Sequence, residues 1–188
     1  MALITSGKRA GCKTTIGGIK LVYLATFVPY QRNEFGLDGT VLTSIPETFI
    51  YRFELDGDKN SFSQSYDGKS YSQSLSLEFK KQDVTTSKLS ESLNYLDYRA
   101  LILDRNGDYY LLGLENGLTS TGIQITSGGS TSDFNGYSIS FNGKERLQAL
   151  HVIDPFNNGF IEVDGEDFYQ FQNLETFCFQ DGELYQFN

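Results

Sequence analysis

Alternation of apolar and polar positions runs through most of the chain and predicts strands nearly everywhere. Ile19 to Val28 is dominated by β-branched, aromatic and aliphatic residues and stops at Pro29, the profile of a strand ended by a turn. Thr48 to Leu55 sets Phe49, Tyr51, Phe53 and Leu55 on one face and Ile50, Arg52 and Glu54 on the other, then meets Asp56-Gly57-Asp58. Tyr71, Gln73, Leu75, Leu77 and Phe79 alternate in the same way with Ser72, Ser74, Ser76 and Glu78. These two segments read as partners joined by a long polar loop from Asp56 to Ser70. A loop of that length inside a compact domain points to a function or to ordering on a partner.

Helical spacing occurs once. Leu89, Leu93 and Leu96 recur at i, i+4 and i+7 behind the capping candidates Thr85, Thr86 and Ser87, with Val84 as a staple, and predict a helix over about 86–97. Ala100–Leu103 and Tyr109–Leu114 flank Asn106-Gly107, the strongest short hairpin signal. Thr121–Thr126 reads as a strand or edge, and Tyr137–Phe141 with Leu147–Ile153 reads as a hairpin across Asn142-Gly143. Beyond Pro155, short aromatic stretches alternate with Asp-Gly turns as far as Phe187, the pattern of a β-meander. The expected organisation is therefore an irregular arm over 1–15, a β domain over 16–153 and an aromatic extension over 154–188. A meander this short is marginal alone and has to dock, on its own core or on another subunit.

Composition agrees with a folded, aromatic-rich chain: 188 residues hold 15 Phe, 12 Tyr and 19 Gly, enough to bury a core without covalent staples. Charge is distributed unevenly. All 15 Lys and Arg lie within 1–146 against 16 acids, whereas 147–188 carries eight acids and no base, so nearly all of the net charge of −9 is C-terminal. Such a chain does not hold a phosphate backbone through cations, although a negative wall past which DNA slides would have this sign. The plainer reading is that the acids keep a β-rich surface soluble. No apolar stretch is long enough for a membrane helix, and the basic Lys8, Arg9 and Lys13 follow the short apolar start where a signal peptide would place them first. Cys12 and Cys178 are read as reduced thiols.

Candidate chemistry is sparse. One His and two Cys exclude a His pair or a four-thiolate zinc site. Asp56, Asp58, Asn60 and Asp67 fall on calcium-loop positions, but Ser61 stands where that loop needs glycine and the flanks are strands, so a polar turn is the better account. Asp104, Asn106 and Asp108 are explained the same way, as a turn. His151 sits in an apolar strand with no nucleophile elbow in the chain. Glu162 with Asp164, and Glu166 with Asp167, have nothing that separates them from a solvated face. Lys13-Thr14-Thr15 lacks phosphate-loop spacing. No catalytic, cofactor or metal residue is assigned, and the chain is expected not to be an enzyme.

The opening Gly11-Cys12-Lys13-Thr14-Thr15-Ile16-Gly17-Gly18-Ile19-Lys20-Leu21-Val22-Tyr23-Leu24-Ala25 resembles that of structural proteins from tailed bacteriophages. So do the runs Asn106 to Gly117 and Asp133 to Glu145. Over about 11–146 the chain is similar to tail tube proteins. That resemblance implies a β-sandwich or barrel with one flanking helix and subunits joined into hexameric rings. Stacked rings would then form the conduit for DNA ejection, placing the protein in the virion tail after synthesis in the host cytoplasm. The implied partners are other copies of the chain and other tail or neck proteins, with DNA crossing the lumen unbound. Exposed strand edges invite the same kind of assembly on physical grounds. Lys8, Arg9 and Lys13 of the arm, Phe62 and Tyr66 of the long loop, and Tyr71 at the start of the strand that follows it are the candidate subunit-interface residues. The rival expectation is a β-sandwich binding module that holds a carbohydrate or a host surface through loop Tyr and Phe.

Overall fold

A computed structural model describes residues 16–55, 59–82, 84–130, 133–163, 176–178 and 184–186. The chain is mainly β, as its alternation predicts. Its elements are β1 (Ile19–Thr26), β2 (Gly36–Asp38), β3 (Val41–Ser44), β4 (Thr48–Glu54), β5 (Ser61–Tyr66), β6 (Tyr71–Lys80), α1 (Val84–Ser92), β7 (Asp97–Asp104), β8 (Tyr109–Leu112), β9 (Leu118–Thr126), β10 (Gly136–Glu145), β11 (Leu150–Val152), β12 (Phe160–Val163), β13 (Thr176–Cys178) and β14 (Leu184–Gln186). β13 and β14 pair with each other, and the rest form one twelve-stranded sheet.

Part of that sheet closes on itself. β4 pairs with β1, β1 with β7, β7 with β8, β8 with β11 and β11 with β3, which runs on into β4. The ribbons β3–β4 and β11–β12 lie parallel along their length, from His151 beside Val41 to Val163 beside Tyr51. Between these ladders the seam is held by Ile45 N–H donating to the Asn158 carbonyl (3.2 Å) and Thr48 N–H to the Gly159 carbonyl (2.8 Å). The barrel interior is filled by Tyr23, Ala25, Leu42, Ile50, Leu101, Leu111, Leu150, Val152 and Phe160. Phe160 belongs to this core, so the barrel extends past the boundary expected at 153/154.

A second layer, in the order β9–β10–β6–β5, packs on the outside of β1, β7 and β8. Val22, Leu24, Ala100, Ile102 and Leu112 from the barrel meet Leu75, Leu77, Ile139 and Phe141 from this layer. The molecule is thus a barrel and a sandwich that share three strands, whose side chains fill one core on each face. At about 25 cal/mol per Å² of apolar surface removed from water, these two cores are the main favourable contribution to folding.

Several expected pairings differ. β4 and β6 are not ladder partners; they face each other across the core, where Phe53 lies against Phe79 with ring centroids 5.9 Å apart. β6 pairs instead with β10 and with β5, and β5 lies inside the stretch expected to be a loop. What remains of that loop on this side is the short turn Asp67–Ser70. The Asn142-Gly143 hairpin is also absent, since β10 runs straight through it, with Asn142 beside Ser74 and Gly143 beside Gln73. Glycine is needed at 143 because a Cβ there would stand 2.5 Å from the Gly117 carbonyl oxygen. The Asn106-Gly107 hairpin forms as expected between β7 and β8, with Gly107 at φ 96°. The helix ends at Ser92, earlier than expected, because Asp97 must already be extended beside Thr119. Of its leucine series only Leu93 is buried.

Candidate assembly surface

The far edge of the second layer is β5, Ser-Phe-Ser-Gln-Ser-Tyr, which among the described residues pairs only with β6. Its alternation decides which side chains remain available. Phe62 turns toward the inter-sheet core and lies against Tyr110, ring centroids 6.3 Å apart. The Gln64 side-chain oxygen accepts the Ala149 N–H at 2.9 Å, which ties the edge to the barrel. Tyr66 is 59% exposed and its ring lies tilted against that of Tyr71, centroids 4.8 Å apart. The Asp67 carboxylate closes the following turn by accepting the Lys69 and Ser70 N–H groups at 2.9 and 2.7 Å, and these bonds hold it below the usual carboxylate range. Of the six interface candidates, then, Tyr66 and Tyr71 share one exposed end, Phe62 is half taken up by the core, and Lys8, Arg9 and Lys13 lie outside the described residues.

The outward face of this layer is a grid of small hydroxyls. Ser61 stands beside Ser76 and Ser63 beside Ser74, with Ser65 beside Ser72; Ser76 and Ser74 in turn face Ser140 and Asn142. Around Ser63, Ser72, Ser74, Thr119 and Asn142 the face is concave, an open hollow of about 850 Å³ with Lys144 as its one charged lining residue. The period of two that buries Leu75 and Leu77 is what turns the serines outward.

A different edge closes the barrel side. Among the described residues β12 pairs with β4 alone, and Ile161 stands beside Phe49 on the outer face, 38% and 41% exposed. His151 is exposed with its ring 4.5 Å from Tyr110. Among the described residues no group of three His, Cys, Asp or Glu is placed to hold a metal. Asp56 and Asp58 of the calcium-like pattern lie outside them. Asp104 accepts the Asn106 and Asp108 N–H groups at 2.8 and 2.9 Å, the turn role expected of it.

Neither periodicity nor motif pointed to the polar lock that joins barrel to sandwich. The turn between β8 and β9 is held by three buried side chains. Gln73 accepts the Gly113 N–H at 3.0 Å. Arg99, 1% exposed, donates from Nε and Nη2 to the Leu114 carbonyl at 3.2 and 3.0 Å. Glu145, 2% exposed, accepts the Glu115 N–H (3.0 Å to Oε2) and the Asn116 N–H (2.8 Å to Oε1). Burial pushes the Glu145 carboxyl above its ordinary value, and the backbone donors of Asn116, Glu115 and Gly117 only partly offset this. Because its folded pKa is raised, its stabilising contribution is fully present below the unfolded value and is lost as pH rises through the folded one. The stability difference between the protein and its Glu145→Gln variant is therefore expected to fall with rising pH across that window. The fall is about 1.4 kcal/mol per unit of pKa elevation, read from urea midpoints at a series of pH values. A flat or rising difference would contradict it.

No protein-family model, curated protein or solved structure matches the chain. No helix among the described residues is long and apolar enough to cross a membrane.

Proposed function

We propose that this chain is a structural subunit of a tailed-bacteriophage virion that assembles with copies of itself into rings. The rings would form the tail tube, or a tail or neck ring, through which DNA passes, with other tail or neck proteins as further partners. The observation that carries this reading is the β5 edge: six residues with no charge, no proline and no bulge, which among the described residues end the sheet with one side unpaired. Monomeric proteins usually blunt such an edge with lysine, proline or a covering segment. The barrel and sandwich with one helix agree with the architecture that the resemblance implies. The serine face adds a second support, because a hydroxyl wall whose hollow holds Lys144 as its one charge gives passing DNA few counterion-releasing contacts. Six of the eight C-terminal acids fall within 164–188 and outside the described residues, so the idea of a negative lumen rests on sequence alone.

The test is light scattering with negative-stain microscopy on the purified protein and on a Ser63→Lys/Ser65→Lys variant. Rings or tubes are expected from the first, and a monomer with unchanged thermal unfolding from the second, since both serines are exposed. A strict monomer at high concentration would refute ring assembly. A second reading, a carbohydrate-binding module, draws on the polar hollow on the serine face, lined by hydroxyls, amides, glycines and Lys144.

A further inference from the structure

We infer that neighbouring subunits join edge to edge, with β5 of one copy adding to β12 of the next. The inference rests on the ring reading and names the two surfaces that make the contact. A closed ring of identical chains needs a heterologous contact, in which one surface meets a different one on the next copy. β5 and β12 are two different edges of the same sheet, and each ends its path through the ladder among the described residues. β2 also ends a path, but with three residues that finish on Asp38 it offers little to pair with.

Side-chain direction makes the two edges compatible. On β5, Phe62 points to the inter-sheet core while Ser61, Ser63 and Ser65 point away. On β12, Phe160 fills the barrel, so Ile161 stands on the outer face, the same face of β1 and β7 that the second layer covers. Of the two senses in which the edges can pair, the one that keeps the apolar faces in common sets Phe62 and Tyr66 on the face that carries Ile161 and Phe49. Tyr66, Phe49 and Ile161 are exposed large apolar side chains in the single chain, and this contact would cover all three. On the opposite face Ser63 would approach Glu162. The backbone ladder supplies the affinity and the apolar row the register.

Cysteine pairs test this directly. In full-length protein carrying Cys12→Ser and Cys178→Ser, Glu162→Cys is combined in turn with Ser61→Cys, Ser63→Cys and Ser65→Cys, so that one register brings the Cα atoms within the roughly 4.4–6.8 Å a disulfide spans. Mild oxidation is expected to give a covalent ladder on a non-reducing gel from at least one double variant. Mixing the two corresponding single variants should give dimers only, and neither alone should cross-link. Dimers from a Ser63→Cys variant alone would mean β5 pairs with itself and would overturn the inference. Rings in negative stain with no ladder from any double variant would overturn it while leaving the ring reading intact, and the absence of both rings and ladders would remove the two together.

Discussion

Replacing Gly159 by alanine is expected to destabilise the protein by about 3 kcal/mol or more, a large fraction of the stability of a marginal domain. Gly159 has φ 102°, a conformation that L residues rarely adopt, and a Cβ built there stands 2.1 Å from the Ile45 carbonyl oxygen. The obstacle is backbone, so no side-chain rotation relieves it. The strand seam cannot open locally either, because the Gly159 carbonyl accepts the Thr48 N–H at the point where the parallel ribbons close the barrel. Strained φ costs about 1–3 kcal/mol and forced overlap a similar amount. Gly39→Ala provides the control: φ is 61°, but no atom lies within 4 Å of the added Cβ, so only the conformational part, about 1 kcal/mol, applies. Denaturant midpoints of the two variants should differ accordingly. A Gly159→Ala protein as stable as Gly39→Ala would mean that the ribbons do not meet as described.

The strands were legible where one face is buried and the other wet, because a period of two is then written into the residue types. Tyr71 to Lys80 is the clearest case. β5 was hidden by the same logic: its only apolar inward residues are Phe62 and Tyr66, and an edge strand with Ser and Gln at the other positions looks like a loop. Asn142-Gly143 misled because the two properties that make glycine a turn signal, small size and free φ, are separable. Here only the small size is used, to let the Gly117 carbonyl approach. Strand partners were legible only across the Asn106-Gly107 turn, which joins β7 to β8; β4 and β6 carry equivalent patterns and nothing local says which neighbour each will take. Of the candidate interface residues, Tyr66 could be placed by its exposure, whereas Arg99 and Glu145 gave no signal. A buried ion is recognised by the carbonyls and amides it meets, and those come from segments distant in sequence.

Arg99→Ala is the other substitution expected to approach the limit of folding, at about 3–5 kcal/mol, the range for removing one partner of a buried charged network. The guanidinium lies between the rings of Tyr30 and Phe27, 3.9 and 4.7 Å from their centroids, and it donates to the carbonyls of Val28 and Leu114. Truncation therefore leaves the buried Leu114 carbonyl and the part-buried Val28 carbonyl short of a donor and opens a cavity between two aromatic faces, and each loss has its own cost. Burial pushes the Arg99 pKa down, while Tyr30 and the Glu145 charge act to hold the guanidinium in its cationic form. Lysine cannot replace it, because a compact ammonium neither stacks on both rings nor reaches both carbonyls in a planar fork. Arg99→Lys should thus recover less than half of the loss. Arg99→Met fills the volume and isolates the polar component. If Arg99 and Glu145 act as one lock on the turn between β8 and β9, the double variant Arg99→Met/Glu145→Gln should cost at least about 1 kcal/mol less than the sum of its single variants. Strict additivity in urea denaturation would show that each side chain anchors the turn on its own.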